Sequence, residues 1–312
     1  MVILVIGTGS IGTRHLGNLT ALGAQAEACS MRAGGMDGAL ARIAAGGLQG
    51  VVIATETHLR LPLIAACAGQ GLPIYVEKPL AFAPAEVAAI YEAAAPVAAR
   101  SMVGLMMRYH PAFRHLAQAD LGDTYAYSFD IGHDVTQWRA NWRFADSYAA
   151  RPDGGGVLLD LCHELDMATC LFPAASLHSV ASLGQARYPG VDFATQVTLG
   201  GPATGMVRMD YLSPQLVRRI DIAGTGQRHM FDLAAGSYMV ADASGTRPIA
   251  ITLERNAMFL AAMRDFLALI AGRPTSDVEH LPRLDLVRAS CDRIAGAYGM
   301  RQFGGQLVGD KP

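Results

Sequence analysis

One lysine stands in the body of a chain that otherwise uses arginine for positive charge. Of the 25 basic side chains 23 are arginines, and the two lysines are Lys78 and Lys311, the latter next to the last residue. Arginine keeps its charge and presents a planar fork, whereas lysine is a compact donor that can take part in proton transfer. Lys78 is therefore a candidate for proton chemistry, although its rarity alone is equally compatible with an ordinary surface lysine.

A histidine between two carboxylates is the second candidate. Residues 154–166 read Gly-Gly-Gly-Val-Leu-Leu-Asp-Leu-Cys-His-Glu-Leu-Asp, and a helix after the glycines would place Asp160, His163 and Asp166 at successive i, i+3 positions. Such a histidine suits a general acid or base near neutral pH. Taken alone, the pattern fits a satisfied, partly buried histidine better. Cys162 and His163 would point about 100° apart on a helix, so we predict no metal site.

The turn Gly7-Thr8-Gly9-Ser10-Ile11-Gly12 directly follows an apolar strand and opens a predicted helix. In that context the glycines allow a tight turn and a close approach of the backbone to a pyrophosphate at the helix N-terminus. We therefore predict a dinucleotide site, with contacts from Gly7, Gly9, Ser10, Ile11 and Gly12.

The end of the second predicted strand bears on the choice of nucleotide. An NAD site usually has Asp or Glu there to bind the ribose 2′-hydroxyl, and this chain has Ser30, followed by Arg32. A serine and an arginine can hold a 2′-phosphate, whereas Glu27 comes too early in the strand. The sequence thus favours NADP(H) over NAD(H).

Over roughly the first hundred residues, short apolar runs alternate with helical segments. This alternation predicts βαβ units and a doubly wound parallel sheet of the Rossmann type. Such sheets bind ligands beyond the carboxyl ends of their strands, where both Gly7 and Lys78 fall. The predicted strands are 2–6, 25–30, 50–54, 73–76 and 100–104, and the predicted helices are 10–21, 36–45, 58–70 and 84–94.

Beyond residue 105 longer segments with a period of two indicate a large, open and mostly antiparallel sheet. We therefore divide the chain into an α/β nucleotide domain, 1–105, and an α+β domain, 106–277. The last helix, about 278–299, is available to fold back onto the first domain. The predicted strands are 122–131, 178–188, 192–199, 204–211, 216–223 and 228–233, and the predicted helical segments are 106–118, 155–171, 254–271 and 278–299.

The bulk composition excludes several classes of partner. A net charge of −2 offers no electrostatic footprint for nucleic acid or an anionic membrane. No apolar stretch approaches the ~20 residues of a membrane-spanning helix. Five scattered cysteines fit reduced thiols better than a disulfide framework. We therefore expect a cytoplasmic protein that binds small molecules.

Four motifs together resemble the Gfo/Idh/MocA family, the relatives of glucose–fructose oxidoreductase and inositol dehydrogenase. The resemblance covers essentially the whole chain and implies a Rossmann domain followed by a domain whose open sheet often forms an oligomer interface. It implies hydride transfer between a nicotinamide cofactor and a sugar or cyclitol hydroxyl, and a homodimer or homotetramer. The motifs are the glycine turn, Ala54-Thr55-Glu56-Thr57-His58, Glu77-Lys78-Pro79, and the Gly-Gly-Gly…Asp…His…Asp helix.

Matching motif to motif, Lys78 corresponds to the family's active-site lysine and Glu77 to a residue that helps place the cofactor. His163 corresponds to the proton-transferring histidine and Asp160 to the aspartate ahead of it. The chain departs from the family pattern at one point, because Asp160 and His163 are three positions apart instead of four. This departure leaves the catalytic role of Asp160 open. The resemblance also assigns two residues after the third strand to the cofactor, Thr55 and His58.

The expected reaction is oxidation of a secondary hydroxyl, or reduction of the carbonyl, of a sugar, amino sugar or cyclitol, with Lys78 and His163 handling the proton. Two alternatives stay open: a tightly held cofactor used for elimination, hydrolysis or epimerisation, and a non-catalytic NAD(P)-binding regulator. Guanidinium forks and aromatic faces suit a carbohydrate or a carboxylate, although each residue is equally compatible with packing. The substrate candidates are Arg108, Tyr109, Trp138, Arg139 and Asp166.

Overall fold

The computed structural model describes residues 1–137, 143–276 and 279–307. Within these ranges it contains nine α-helices and fourteen β-strands. The helices are α1 (Ser10–Ala21), α2 (Met31–Ala44), α3 (Arg60–Gly69), α4 (Pro84–Ala94), α5 (Pro111–Gln118), α6 (Val157–Asp160), α7 (His163–Leu171), α8 (Arg255–Ile270) and α9 (Arg288–Gly299). The strands are β1 (Val2–Ile6), β2 (Gln25–Cys29), β3 (Gly50–Ile53), β4 (Ile74–Val76), β5 (Met102–Val103), β6 (Thr124–Gly132), β7 (Ser176–Gln185), β8 (Ala194–Gly200), β9 (Thr204–Asp210), β10 (Val217–Gly224), β11 (Gln227–Asp232), β12 (Ser237–Asp242), β13 (Gly245–Pro248) and β14 (Gln302–Leu307).

The chain forms two compact units, and the second half contributes to both. The first unit comprises Met1–His110 and Leu253–Cys291, and the second comprises Pro111–Thr252 and the chain from Asp292 onward. Helix α8 therefore lies in the first unit, whereas the sequence division placed it in the second domain. Its apolar face packs on α1 and on β4, where the Phe266 ring lies 5.9 Å from that of Tyr75. Helical periodicity predicts that a face is buried but does not identify what covers it.

The first unit is built on a five-stranded parallel sheet in the order β2-β1-β3-β4-β5. Its central strands are short, apolar and almost entirely buried, as expected of parallel strands covered by helices on both faces. The strand order reverses between β1 and β3, and ligands of open α/β sheets bind at the carboxyl edge beside such a reversal. The predicted Rossmann-type sheet is confirmed.

The second unit is built on a nine-stranded sheet in the order β13-β12-β11-β10-β6-β9-β8-β7-β14. Its pairing is mostly antiparallel, with parallel pairs at β6–β9 and β7–β14, which confirms the predicted class. Strands β12, β13 and β14 were absent from the prediction. Strand β13 has only four residues, all of them exposed, and β14 contains Gly304 and Gly305 and pairs with β7, which is distant in the chain.

The predicted helix at 155–171 is two helices. Helix α6 ends at Asp160, Leu161 leaves the helical conformation (φ −106°, ψ 27°), and α7 begins at His163. The prediction that Asp160 and His163 share one continuous helical face was therefore wrong, while His163 and Asp166 do lie one turn apart on α7.

No helix in the described ranges has the length and apolar character needed to cross a membrane.

Candidate functional site

Two glycines of the β1–α1 turn are required by close contacts, one with the chain that leaves β3 and one within the turn itself. Gly7 has φ +98°, and a Cβ there would lie 2.5 Å from the carbonyl oxygen of Ala54. A Cβ on Gly12 would overlap the carbonyl oxygen of Gly7. The turn is therefore fixed by contacts that no larger residue permits.

The middle glycine of this turn faces open space instead. A Cβ on Gly9 would meet no heavy atom of the described chain within 4 Å, and both Gly9 and Ser10 are exposed. The first turn of α1, from Ser10 to Thr13, carries no acidic side chain. Its backbone N–H groups and the positive end of its dipole favour an anion. The space beside Gly9 fits the pyrophosphate of a dinucleotide.

Lys78 directly follows β4 at the same carboxyl edge of the sheet. Val76 is in register with Ile53, so Lys78 and Thr55 both lie just beyond the ends of neighbouring strands. The Lys78 side chain is half-buried, and the Lys78–Pro79 peptide bond is cis. Thr55 is buried, whereas His58 is exposed on a single 3-10 turn with its Nδ1 3.7 Å from a carboxylate oxygen of Glu56.

Glu77 is a buried carboxylate held by a buried histidine. His15 Nε2 of α1 lies 2.7 Å from Glu77 Oε1, and the carboxylate lies against Gly104, where a Cβ would be 3.0 Å away. Burial by itself would raise the pKa of Glu77. The hydrogen bond from His15 and the charges of His15, Lys78 and Arg60 outweigh burial, so that the pKa of Glu77 is lowered. Glu77 is therefore ionised at neutral pH.

Arg60, which the sequence reasoning missed, connects these segments. Its guanidinium is buried and donates to three backbone carbonyls, those of Thr55, Glu77 and Pro79. A signal was available, because the buried face of α3 runs through positions 60, 63, 64, 67 and 68, and its first member is an arginine in an otherwise apolar stripe. A charged residue in such a stripe requires buried partners.

The end of β2 carries the residues expected to choose the nucleotide. Ser30 has an extended backbone and immediately precedes α2, and Arg32 is exposed in the first turn of that helix. Glu27 is bound by Arg42, whose Nε lies 2.9 Å from Glu27 Oε2. The carboxylate nearest to the end of β2 is thus engaged within the unit.

In the second unit Asp160 is anchored by two tyrosines. Tyr211 Oη donates to Asp160 Oδ2 at 3.0 Å, and Tyr148 Oη donates to Asp160 Oδ1. Burial, followed by the charge of Asp160, raises the pKa of Tyr211 well above its ordinary value. These bonds hold Asp160 at the end of α6, where the helix breaks before His163.

The face around His163 is also buried. His163, at the start of α7, is 9% exposed, and both Glu164 and Asp166 are fully buried. Glu164 accepts a hydrogen bond from Arg218 Nε at 2.6 Å. The first turn of α7 is thus held by charged contacts to the sheet.

A second unpredicted residue, Asp192, holds the glycine run that precedes Asp160. Gly156 has φ +93°, and a Cβ there would overlap Asp192 Oδ1. Asp192 Oδ2 accepts the backbone N–H of Leu158 at 2.9 Å, and Arg301 also donates to this carboxylate. The glycine run therefore allows Asp192 to cap α6. Its sequence signal is weak, since a lone aspartate before β8 resembles a turn residue.

The remaining substrate candidates divide into two groups. Arg108 and Tyr109 are buried in the first unit, and Arg108 donates to Ser290 Oγ at 3.1 Å. Trp138 and Arg139 lie outside the described residues.

Over the described ranges, no group of three or more His, Cys, Asp or Glu side chains is arranged to hold a metal ion.

The fold is shared with solved oxidoreductase structures. UDP-N-acetylglucosamine 3-dehydrogenase from Acidithiobacillus ferrooxidans is 18% identical, with a TM-score of 0.74 over 96% of this chain and 95% of that one. An oxidoreductase from Agrobacterium radiobacter, in complex with NAD+, L-tartaric acid and magnesium, is 17% identical, with a TM-score of 0.77 over 96% of both chains. Levoglucosan dehydrogenase in complex with NADH and levoglucosan is 20% identical, with a TM-score of 0.76 over 96% of this chain and 95% of that one.

These comparisons confirm the fold that the family resemblance implies, and identities of this size show the fold alone. No model of a known protein family matches the chain, and no curated protein matches it either.

Proposed function

We propose that this protein is a nicotinamide-dependent oxidoreductase that interconverts a secondary hydroxyl and a carbonyl on a sugar, amino sugar or cyclitol. The observation that carries the proposal is the juxtaposition at one sheet edge of an open, glycine-lined helix N-terminus and Lys78. Proteins that share the fold support it, since they include a sugar dehydrogenase and an amino-sugar dehydrogenase and complexes with NAD+ or NADH.

A bound nicotinamide would supply the hydride acceptor or donor. The chain itself supplies the other functions. The turn at Gly9 and the start of α1 bind the pyrophosphate, and ionised Glu77 helps to place the cofactor. His163 accepts the hydroxyl proton as the general base, and Lys78 Nζ donates to the substrate oxygen, stabilises the developing alkoxide and shares that proton. In the reductive direction the same two residues return the proton.

The roles of Lys78 and His163 are tested together. If both act on one proton, the double variant Lys78→Arg/His163→Asn will be no slower than the slower single variant, because residues that act as a unit are not additive. Losses in kcat that multiply would show that the two residues contribute independently of each other.

A preference for NADP(H) is proposed from Ser30 and Arg32, which offer a hydroxyl and an exposed guanidinium beyond β2. Titration of the protein with NADPH and NADH measures the preference directly. Arg32→Ala is expected to weaken NADPH binding by about tenfold, or about 1.4 kcal/mol, and to leave NADH binding unchanged. A wild-type preference for NADH would reverse the assignment.

We further propose a cytoplasmic homodimer or homotetramer assembled through the open face of the second sheet. That face carries exposed Tyr125 and the paired charges of Arg208 with Asp130 and of Arg228 with Asp221. Light scattering during gel filtration gives the subunit number, and a charge reversal at Arg208 is expected to lower it. A monomeric wild-type protein would contradict the assembly.

The reaction is tested by a dehydrogenase screen of sugars, amino sugars, cyclitols and their nucleotide-linked forms with both cofactors. Formation of reduced nicotinamide with one of these classes supports the proposal. A co-purified cofactor that never exchanges, together with turnover that produces no net reduction, would favour elimination, hydrolysis or epimerisation instead.

A further inference from the structure

Arg60 is a buried cation bonded to the segment that carries Lys78. The side chain is 3% exposed in the first unit. Its Nη2 donates to the Thr55 carbonyl oxygen at 2.9 Å, and its Nη1 donates to the carbonyls of Glu77, at 2.5 Å, and Pro79. Burial of a guanidinium is unfavourable unless its donors are satisfied. The three carbonyls accept hydrogen bonds from this guanidinium and so offset the cost of its burial.

Two of these carbonyls stand on either side of Lys78 in the chain. One planar group that bonds both of them fixes the path of the backbone before and after the lysine. The third carbonyl, that of Thr55, ties the same group to the chain leaving β3, beside Ala54 and the glycine turn. The clamp therefore joins Lys78 to the neighbouring strand end.

We infer that Arg60 is a positioning residue that holds Lys78 in place through the carbonyls of Glu77 and Pro79. The catalytic consequence rests on the proposed function, whereas the effect on Lys78 itself does not. Lysine at position 60 would keep the charge but present a single point donor, which cannot replace a planar fork that reaches three acceptors. A comparison of Arg60→Lys with the wild type therefore tests the geometry of the guanidinium separately from its charge.

The kinetic test compares the wild type, Arg60→Lys and the matched control Arg100→Lys. Arg100 also bonds a backbone carbonyl of the first unit, that of Gly71 at 3.1 Å, but it is exposed. A misplacement of about 1 Å costs about 100-fold in rate, so kcat of Arg60→Lys is expected to fall by about that factor. Cofactor affinity should change by less than about threefold, and Arg100→Lys should match the wild type.

Two kinetic results would overturn the inference. One is a kcat for folded Arg60→Lys within about twofold of the wild type. The other is a parallel loss of kcat and cofactor affinity, because a general disturbance of the first unit would reduce both. Thermal unfolding of each variant shows that the measurements concern folded protein.

A second measurement needs no substrate, because the chain has only two lysines. With lysine labelled at the ε-carbon, Lys311→Arg leaves one NMR signal, that of Lys78. In this background Arg60→Gln is expected to shift or broaden the signal, and Arg100→Gln is expected to leave it in place. An unchanged signal in folded Arg60→Gln would contradict the clamp. If Arg60→Gln does not fold, the kinetic comparison of Arg60→Lys with the wild type decides. If the dehydrogenase screen fails, the Lys78 signal is an independent test.

Discussion

The candidate residues lie in two regions that are built in different ways. In the first unit, the glycine turn and the Lys78 segment follow the ends of parallel strands, and the backbone itself provides most of the site. In the second unit, Asp160 and His163 flank a break between two helices, and two side chains distant in the chain, Tyr211 and Asp192, hold Asp160 and the start of α6. Local motifs therefore describe the first region well and the second poorly.

The helix break shows what this difference means for interpretation. The i, i+3 spacing predicts a shared face for Asp160 and His163 only if one helix continues through Leu161. The first helix ends at Asp160, so the condition is not met. The Gly7 turn needed no such assumption, because strand, turn and helix are consecutive. A spacing argument is as reliable as the continuity of the element it assumes.

The largest effect on stability is expected in the first region, where the same glycine-to-alanine change is compared at two positions. Gly12→Ala drives a Cβ into the Gly7 carbonyl, and overpacking of this kind costs about 3 kcal/mol of unfolding free energy or more. Gly9→Ala places the same methyl group in open space, so stability should change by less than about 0.5 kcal/mol while cofactor affinity falls by about tenfold. Thermal unfolding and cofactor titration measure both. Equal destabilisation by the two changes would contradict the account of the turn.

In the second region Asp160→Asn tests whether the carboxylate anchors or catalyses. If the carboxylate anchors the site by accepting both tyrosine hydroxyls, Asp160→Asn should lower the free energy of unfolding by about 2 kcal/mol. Tyr148→Phe removes one of these two hydrogen bonds and should lower it by about 1 kcal/mol. Denaturant unfolding measures both. If Asp160→Asn instead lowers kcat about 100-fold with no loss of stability, Asp160 is catalytic.

The smallest effect concerns pH and the buried pair in the first region. Because the pKa of folded Glu77 lies below the ordinary value of 4.5, the unfolded chain binds more protons, and stability falls as the pH drops. The stabilisation of the fold by the ionised Glu77 carboxylate is complete above pH 4.5. It is lost as the pH falls through the lower pKa that Glu77 has in the folded state. Glu77→Gln should therefore be less stable than the wild type by about 1 kcal/mol at neutral pH. The difference in stability between Glu77→Gln and the wild type should narrow in acid, as melting curves at a series of pH values will show. A difference that stays constant would exclude an ionised Glu77 carboxylate.

Much of the first unit could be predicted from sequence because its elements are local. The apolar runs predicted β1, β3 and β4, and the glycine spacing placed the turn. His15 was missed, since it looks like an ordinary helical residue until the partner strand end is known. Arg60 was missed although it interrupts the apolar stripe of α3. In the second unit, strand β14 and the Asp192 cap depend on contacts between distant segments, which periodicity does not encode.

The central claim is that Lys78 performs proton chemistry that arginine cannot, and Lys78→Arg tests it most directly. The change keeps the positive charge, so cofactor affinity should stay within about threefold of the wild type, while kcat falls by about 10²–10⁴. Lys311→Arg is the matched control and should leave kcat unchanged. A Lys78→Arg enzyme that turns over like the wild type would contradict the claim.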